Sequence, residues 1–179
     1  MSALTLAQAK THLNITSATY DAELQTFIDT AESVVSAYCG PLSSSAATYR
    51  VRATGDTLVL PVAPILSVTS VTPVYPTGAA ALTMTDLWTD TDAAIVRYVS
   101  GQWFGVGWYD VAATVGRSSV PPDLLMAIKE ELRHLWKTQR GSALGRPGSS
   151  PEDNPDGGGY LVPYHVMEML APYRQVRVS

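Results

Sequence analysis

The fold of the N-terminal part of the chain is decided by one stretch, Asp21-Ala-Glu-Leu-Gln-Thr-Phe-Ile-Asp-Thr-Ala-Glu-Ser-Val-Val-Ser-Ala-Tyr-Cys39. Its apolar residues recur at steps of three and four, which predicts an amphipathic helix that ends at Gly40-Pro41. A shorter helix precedes it, because Thr5 and Gln8 have the spacing of a capping box. We expect that first helix to end at about Leu13.

The middle of the chain changes to a hydrophobic period of two residues, which is typical of β-strands. Gly55-Asp56 predicts a turn between two of these strands. The pattern therefore predicts a small, mostly antiparallel β unit of five or six strands. The predicted strands cover residues 49–53, 57–60, 65–72, 93–99 and 109–115.

A long helix follows the β unit over residues 120–140, and Pro121-Pro122 suit its first turn, where backbone amides have no partner. Its apolar stripe contains Leu125, Ile128, Leu132, Leu135 and Trp136. Its predicted solvent side contains Glu130, Glu131, Arg133, Lys137 and Arg140.

These elements predict an α+β fold in which two N-terminal helices, an antiparallel β unit, a later long helix and a C-terminal tail follow one another along the chain. We expect one domain of 179 residues. Its segments are the N-terminal helices at 1–40, the β-rich insertion at 41–118, the long helix at 119–140, a flexible loop at 141–159 and a C-terminal docking segment at 160–179.

The composition excludes several classes of protein. A net charge of −4, with only three lysines, does not suit a protein that grips nucleic acid through clustered cations. A single cysteine, Cys39, forms no internal disulfide. The N-terminus lacks the pattern of a signal peptide, and no apolar stretch is long enough for a membrane span. We therefore expect a soluble protein made in the cytoplasm, with no membrane partner.

The sequence offers no catalytic, metal-binding or cofactor-binding set of residues. His12, His134 and His165 lie in three separate segments, whereas a zinc site needs converging ligands. No base accompanies Cys39, which favours a buried structural role. Gly105-Val-Gly107 is not followed by a helix, so a phosphate-binding loop is not predicted.

Three groups of residues have two interpretations each. An acidic cluster near Trp88 is either a set of solvated turn residues or a surface that faces a polyanion; it consists of Asp86, Asp90 and Asp92. An aromatic group either completes the core of the β unit or stacks on bases or sugars; it consists of Trp103, Phe104, Trp108 and Tyr109. The tyrosines and arginines of the C-terminal segment either form interface hot spots or belong to a helix packed on its own domain.

Several motifs in this order resemble the head–tail connector, or adaptor, proteins of long-tailed bacteriophages and gene transfer agents. They span almost the whole chain: Leu6-Ala-Gln-Ala-Lys-x-His-Leu-Asn-Ile15, Asp21-Ala-Glu-Leu-Gln-x-Phe-Ile-x-x-Ala31, Tyr38-Cys-Gly40, Leu60-Pro-Val-Ala-Pro-Ile-Leu-Ser-Val-Thr-Ser-Val71, Val120-Pro-Pro-Asp-Leu-Leu-Met-Ala-Ile128 with Arg140, and Leu170-Ala-Pro-Tyr-Arg174.

The resemblance implies a structural virion protein, not an enzyme, made in the host cytoplasm and located at the neck. Such adaptors form a ring, usually dodecameric, that joins the portal of the DNA-filled head to the tail and lets DNA pass. The implied partners are the portal protein, identical subunits, the next neck or tail-completion protein and the DNA in the lumen, without a specific contact. No cofactor is implied. The implied fold has a small helical core, made of the two N-terminal helices plus the later long helix, with an inserted antiparallel β unit and an extended C-terminal tail.

The resemblance also assigns residues to these contacts. The residues expected at the portal or a neighbouring subunit are Tyr160, Tyr164, Met167, Leu170, Tyr173, Arg174 and Arg177. Those expected to face DNA as an acidic lining are Asp86, Asp90 and Asp92. One alternative is another ring of the neck, such as a stopper or tail terminator. An alternative from a different class is a small hydrolase or ligand-binding domain that uses the aromatic residues 103–109.

Overall fold

The structure is a computed structural model that describes residues 2–76, 78–140 and 162–174. The described residues form two compact units. The helical unit draws on residues 1–38 and 121–174, and the β unit on residues 39–120. The β unit is therefore inserted in the sequence between two parts of the helical unit, as predicted. The predicted loop at 141–159 lies outside the described residues.

The described part of the helical unit contains four helices. They are α1 (Leu6–Leu13), α2 (Asp21–Cys39, whose last residue belongs to the β unit), α3 (Pro122–Arg140) and α4 (Tyr164–Leu170). The predicted capping box begins α1: the amide of Gln8 donates to Thr5 Oγ1 at 3.3 Å, and the amide of Thr5 donates to Gln8 Oε1 at 3.0 Å. A single 3₁₀ turn, Ala171–Tyr173, follows α4. The described part of the predicted extended tail is thus helical.

The core of the helical unit is built from the apolar stripes that the sequence shows. Its fully buried members include Leu24, Ile28 and Val35 of α2, Leu124, Ile128 and Leu132 of α3, and Val166 and Leu170 of α4. The ring of Trp136 packs edge-on against Phe27 and Tyr20, with centroid distances of 5.9 and 6.0 Å. Helix α4 therefore closes the same core as the long helices.

The described residues of the β unit form six strands in two antiparallel three-stranded sheets. They are β1 (Ser45–Arg52), β2 (Thr57–Val59), β3 (Ile65–Pro73), β4 (Leu87–Asp90), β5 (Ile95–Tyr98) and β6 (Trp108–Val115). The first sheet has the order β1-β6-β3 and the second the order β2-β5-β4. The sequence predicts all of these strands except β4.

One apolar core lies between the inner faces of the two sheets. The first sheet contributes Val51, Val71, Val111 and Val115, and the second contributes Leu58, Leu87 and Val96. Because side chains alternate along a strand, the residues that alternate with these core residues point away from the core. The two outer faces consequently lie on opposite sides of the β unit.

The last turn of the β unit is fixed by Gly116. Its φ of +97° belongs to the left-handed region, and a Cβ there would lie 2.2 Å from the carbonyl oxygen of Ser43. The next residue, Arg117, donates to the carbonyls of Pro41 and Cys39 at 3.2 and 3.0 Å. These contacts join the start and the end of the inserted segment, so the insertion closes on itself.

Candidate interaction surfaces

The C-terminal segment is held against α3 by apolar and polar contacts. Val166 and Leu170 of α4 are buried, and the hydroxyl of Tyr173 donates to Asp123 Oδ2 at 2.6 Å. That hydrogen bond lowers the pKa of Asp123 below its ordinary value, and the amide of Leu124 contributes in the same direction. A carboxylate that accepts hydrogen bonds is easier to ionise. The first turn of α3 is thereby linked to the last described turn of the chain.

A second polar contact links α4 to α1 and α3 through Glu130. His165 of α4 places Nε2 3.8 Å from Glu130 Oε2, and His12 of α1 places Nε2 3.5 Å from Glu130 Oε1. Arg133 lies 3.9 Å away on α3 itself. The two imidazoles form ion pairs with Glu130 only when they are protonated. Two of the three histidines therefore converge on one carboxylate, which their separation in the sequence did not predict.

The predicted interface residues fall into three groups. Tyr164, at 79% exposure, and Arg174 point to solvent, and Met167 is half-buried. Leu170 is buried in the core, and Tyr173 is bonded to Asp123. Tyr160 and Arg177 lie outside the described residues. Of the predicted residues that the structure describes, Tyr164 and Arg174 are therefore the exposed ones that remain for a partner.

Glu131 is the buried charged residue that the sequence analysis placed in solvent. It is 2% exposed, and its Oε2 has no hydrogen-bond partner among the described residues. Burial raises the pKa of its carboxyl above the ordinary value. The assignment to the wet side of α3 was wrong for this residue, because position 131 lies three residues after Ile128 and four before Leu135, on the apolar stripe. The spacing of position 131 from these two apolar residues could have predicted that Glu131 is buried.

The acidic cluster lies along β4 and its turn. Asp86 precedes β4, and Asp92 is exposed in the β4–β5 turn. Asp90 Oδ1 accepts the amides of Asp92 and Ala93 at 3.1 and 3.0 Å. Asp90 thus stabilises the turn, as the interpretation of turn residues expects. A role of the three carboxylates toward DNA stays a prediction.

The aromatic group around residues 103–109 is divided between core and surface. Phe104 and Tyr109 are buried and pack edge-to-face at 5.5 Å, and the Tyr109 hydroxyl donates to the carbonyl of Gly105. Trp103, at 78% exposure, and Trp108, at 46%, are exposed. The core interpretation is therefore right for two of the four residues.

The outer face of the first sheet carries an ordered group that the sequence analysis did not identify. Arg50 donates from Nε and Nη2 to the two carboxylate oxygens of Asp110 at 2.8 and 2.9 Å. The hydrogen bond and the charge of Asp110 raise the pKa of Arg50, with a smaller contribution from Tyr75. Arg52 lies directly opposite Trp108 in the register. Only the pairing of strands distant in sequence brings these residues together.

The structure offers little to support a catalytic site. Within residues 2–76, 78–140 and 162–174, no group of three or more His, Cys, Asp or Glu residues is arranged to hold a metal ion. The helical unit has a groove of about 380 Å³, and the described residues that line it include no carboxylate. Its lining residues are Ala7, Gln8, Thr11, His12 and Lys129. In the described part of the chain, no helix is long and apolar enough to cross a membrane.

The architecture is α+β, with a β unit inserted between α2 and α3 in the sequence. The C-terminal helix α4 packs on α3, and exposed faces remain for contacts. The sequence pattern of the head completion protein family matches residues 3–176. The chain therefore belongs to the head completion protein family. This membership confirms the resemblance to head–tail connectors.

Solved structures share the fold at low sequence identity. A chain from the neck of a native gene transfer agent particle, computed with C12 symmetry, has a TM-score of 0.67 and 21% identity, over 99% of this chain and 91% of that chain. A chain from the neck of an empty particle, computed with C6 symmetry, has a TM-score of 0.66 and 20% identity, over 99% and 92%. A chain from the virion of a native particle has a TM-score of 0.64 and 22% identity, over 99% and 92%. Among curated protein sequences, none matches the chain.

Proposed function

We propose that this protein is a non-enzymatic structural component of the neck of a phage-like particle. It forms a ring of identical subunits that joins the portal of the DNA-filled head to the tail and leaves a passage for DNA. The observation that carries this proposal is the family match over residues 3–176. The shared fold with a neck chain in a particle computed with C12 symmetry supports the ring.

The portal contact is assigned to the exposed side of the C-terminal segment. Tyr and Arg are the residue types that most often anchor protein interfaces, and Tyr164 and Arg174 are both exposed there. Leu170 and Tyr173 act indirectly, because they hold this segment on α3. Tyr160, Met167 and Arg177 complete the proposed contact.

The passage of DNA is assigned to a surface with negative charge. A polyanion binds where Lys and Arg cluster, and it is repelled where carboxylates are exposed. The exposed carboxylates of Asp86 and Asp92, together with Asp90, suit a lining along which DNA moves without being held. The next neck or tail-completion protein would bind the opposite end of the ring.

Deletion of the gene in the phage or transfer agent that carries it tests this function. We expect filled heads and separate tails to accumulate, and the wild-type gene supplied in trans to restore joined particles. Cryo-electron microscopy of the rescued particles should place the chain directly beneath the portal. Joined, infectious particles without the protein would refute the proposal, whereas a position further from the portal would identify a stopper or tail terminator instead.

The portal contact has its own test. The variants Tyr164→Ala and Arg174→Ala should each weaken binding to purified portal protein by roughly tenfold or more, as interface anchors do. Thr138→Ala, an exposed position on α3, serves as the control. Unchanged binding by both variants would remove this side of the segment from the contact.

A further inference from the structure

The two outer faces of the β unit carry different groups on opposite sides. The Trp108 face consists of Trp108, Arg52, Tyr75 and the Arg50–Asp110 pair on the first sheet. The Trp88 face consists of Trp88, Arg97, Asp90 and Asp92 on the second sheet. The inner residues of both sheets share one apolar core, so the two faces point in opposite directions.

The Trp108 face combines an exposed indole with an excess of positive charge. Arg52 lies directly across from Trp108 in the β1–β6 register, and both side chains are exposed. Tyr75 joins them, because the amide of Val74 donates to the carbonyl of Trp108 at 2.8 Å. Asp110 is engaged by Arg50 through two hydrogen bonds. Among the described residues of this face, Arg52 therefore remains as the charge without an ion-pair partner.

The Trp88 face combines an exposed indole with an excess of negative charge. Trp88 is 50% exposed and lies opposite Arg97 in the β4–β5 register. Asp90 follows Trp88 by two residues and so lies on the same side of the sheet. Asp92 is exposed in the adjoining turn. Two carboxylates thus stand against one guanidinium.

We propose that the Trp108 face of one subunit binds the Trp88 face of the next copy of this chain. This inference deepens the proposed ring function and rests on it. It assigns Asp90 and Asp92 to the contact between subunits in place of the DNA passage, so that Asp86 alone of the three remains for the lining. A closed ring needs a heterologous interface, in which two different patches of each subunit meet. Two patches of opposite charge on opposite sides of one compact unit meet that requirement. Each has a tryptophan and an arginine, the residue types enriched among hot spots.

The same observations disfavour a contact between two identical faces. Two Trp108 faces would bring the Arg52 side chains together, and two Trp88 faces would bring together the carboxylates of Asp90 and Asp92. Like charges placed across an interface cost free energy, whereas opposite charges steer association. The charge pattern therefore favours head-to-tail addition of subunits.

Mixing two variants of the full chain tests the proposal. Trp108→Ser should disable one face and Trp88→Ser the other. Sedimentation velocity should show that the wild-type chain self-associates in the micromolar to millimolar range. Each variant alone should associate roughly tenfold more weakly or less. An equal mixture should form a one-to-one complex and nothing larger, because each variant supplies the face that the other lacks.

Trp103→Ser is the matched control, since Trp103 is an exposed tryptophan of the same unit that lies in the loop between β5 and β6, outside the strands that form the two faces. It should associate like the wild type. Circular dichroism should show unchanged folding in all variants. A monomeric wild type throughout that range, wild-type association by both face variants, or a mixture that stays monomeric would overturn the proposal. If the faces fail this test while rescued particles still carry the chain beneath the portal, the inference is wrong and the proposed function stands.

Discussion

The helical unit and the β unit differ in where their charged and aromatic side chains lie. Among the described residues, the helical unit contains the one buried charged side chain, Glu131, and a half-buried carboxylate, Glu130, shared by two histidines. The β unit has an apolar core but exposes large side chains, including Tyr75, Trp88, Trp103 and Trp108. Buried polar groups specify how helices pack, whereas exposed aromatic groups are typical of interfaces. The comparison shows that charged side chains take part in the packing of the helical unit, whereas the β unit keeps an apolar core and places tryptophans on its surface.

The largest expected effect comes from the C-terminal helix and tests whether the helical unit includes it. Leu170→Ala should reduce the free energy of unfolding by about 2–5 kcal/mol, because it leaves a cavity in the core. Tyr164→Ala, on the exposed side of the same helix, should change it by less than about 0.5 kcal/mol. Urea unfolding followed by circular dichroism measures both. Equal effects would mean that α4 does not dock in solution.

The next effect concerns the closure of the β unit. Gly116→Ala should destabilise it by more than about 2 kcal/mol, because a left-handed conformation already costs an alanine roughly 1–2 kcal/mol and the new methyl group would meet the carbonyl of Ser43. Gly55→Ala is the matched control, with φ of +67° and no atom within 4 Å of the added Cβ. It should show only the conformational cost. Thermal unfolding of the two variants separates the terms, and equal losses would show that the closure is not tight.

Glu131 predicts a pH dependence that belongs to the helical unit alone. In the folded protein, the pKa of its carboxyl lies above the ordinary value of 4.5. The protonated carboxyl therefore contributes its full stability below pH 4.5, and this contribution is lost as the pH rises through the folded pKa. Glu131→Gln should therefore gain stability over the wild type with rising pH, by at most about 1.4 kcal/mol per pH unit. Urea unfolding at a series of pH values measures the difference. Glu168→Gln, at an exposed position, should show no such trend.

The smallest effect concerns the hydrogen bond between the last turn of the chain and α3. Tyr173→Phe removes the hydroxyl that is the main cause of the lowered pKa of Asp123. That pKa should rise toward its ordinary value of 3.8 in the variant. In the wild type, the stabilisation is present above this value and is lost as the pH falls through the lowered pKa. NMR titration of the Asp123 carboxyl measures the shift, and an unchanged pKa would show that the two groups do not meet in solution.

The hydrophobic pattern predicted some of the strands and missed others. Ile65–Pro73 and Trp108–Val115 are rich in β-branched residues, so their pattern is strong. Leu87–Asp90 is four residues long and contains two polar residues, so β4 left no recognisable alternation. The first half of β1, Ser-Ala-Ala-Thr at 45–48, has no large apolar residue either. Both segments are strands because partner strands supply their hydrogen bonds.

By itself, the sequence determined the helices α1, α2 and α3, the capping box at Thr5 and Gln8, and the inserted β unit. These features depend on caps and periodicities that act within a few residues of the chain. Only the tertiary structure decided that α4 docks on α3, that Glu131 is buried, and that Trp108 meets Arg52 while Trp88 meets Arg97 on the opposite face. Burial and strand register are properties of neighbours that lie far apart in the sequence, so no local pattern could specify them.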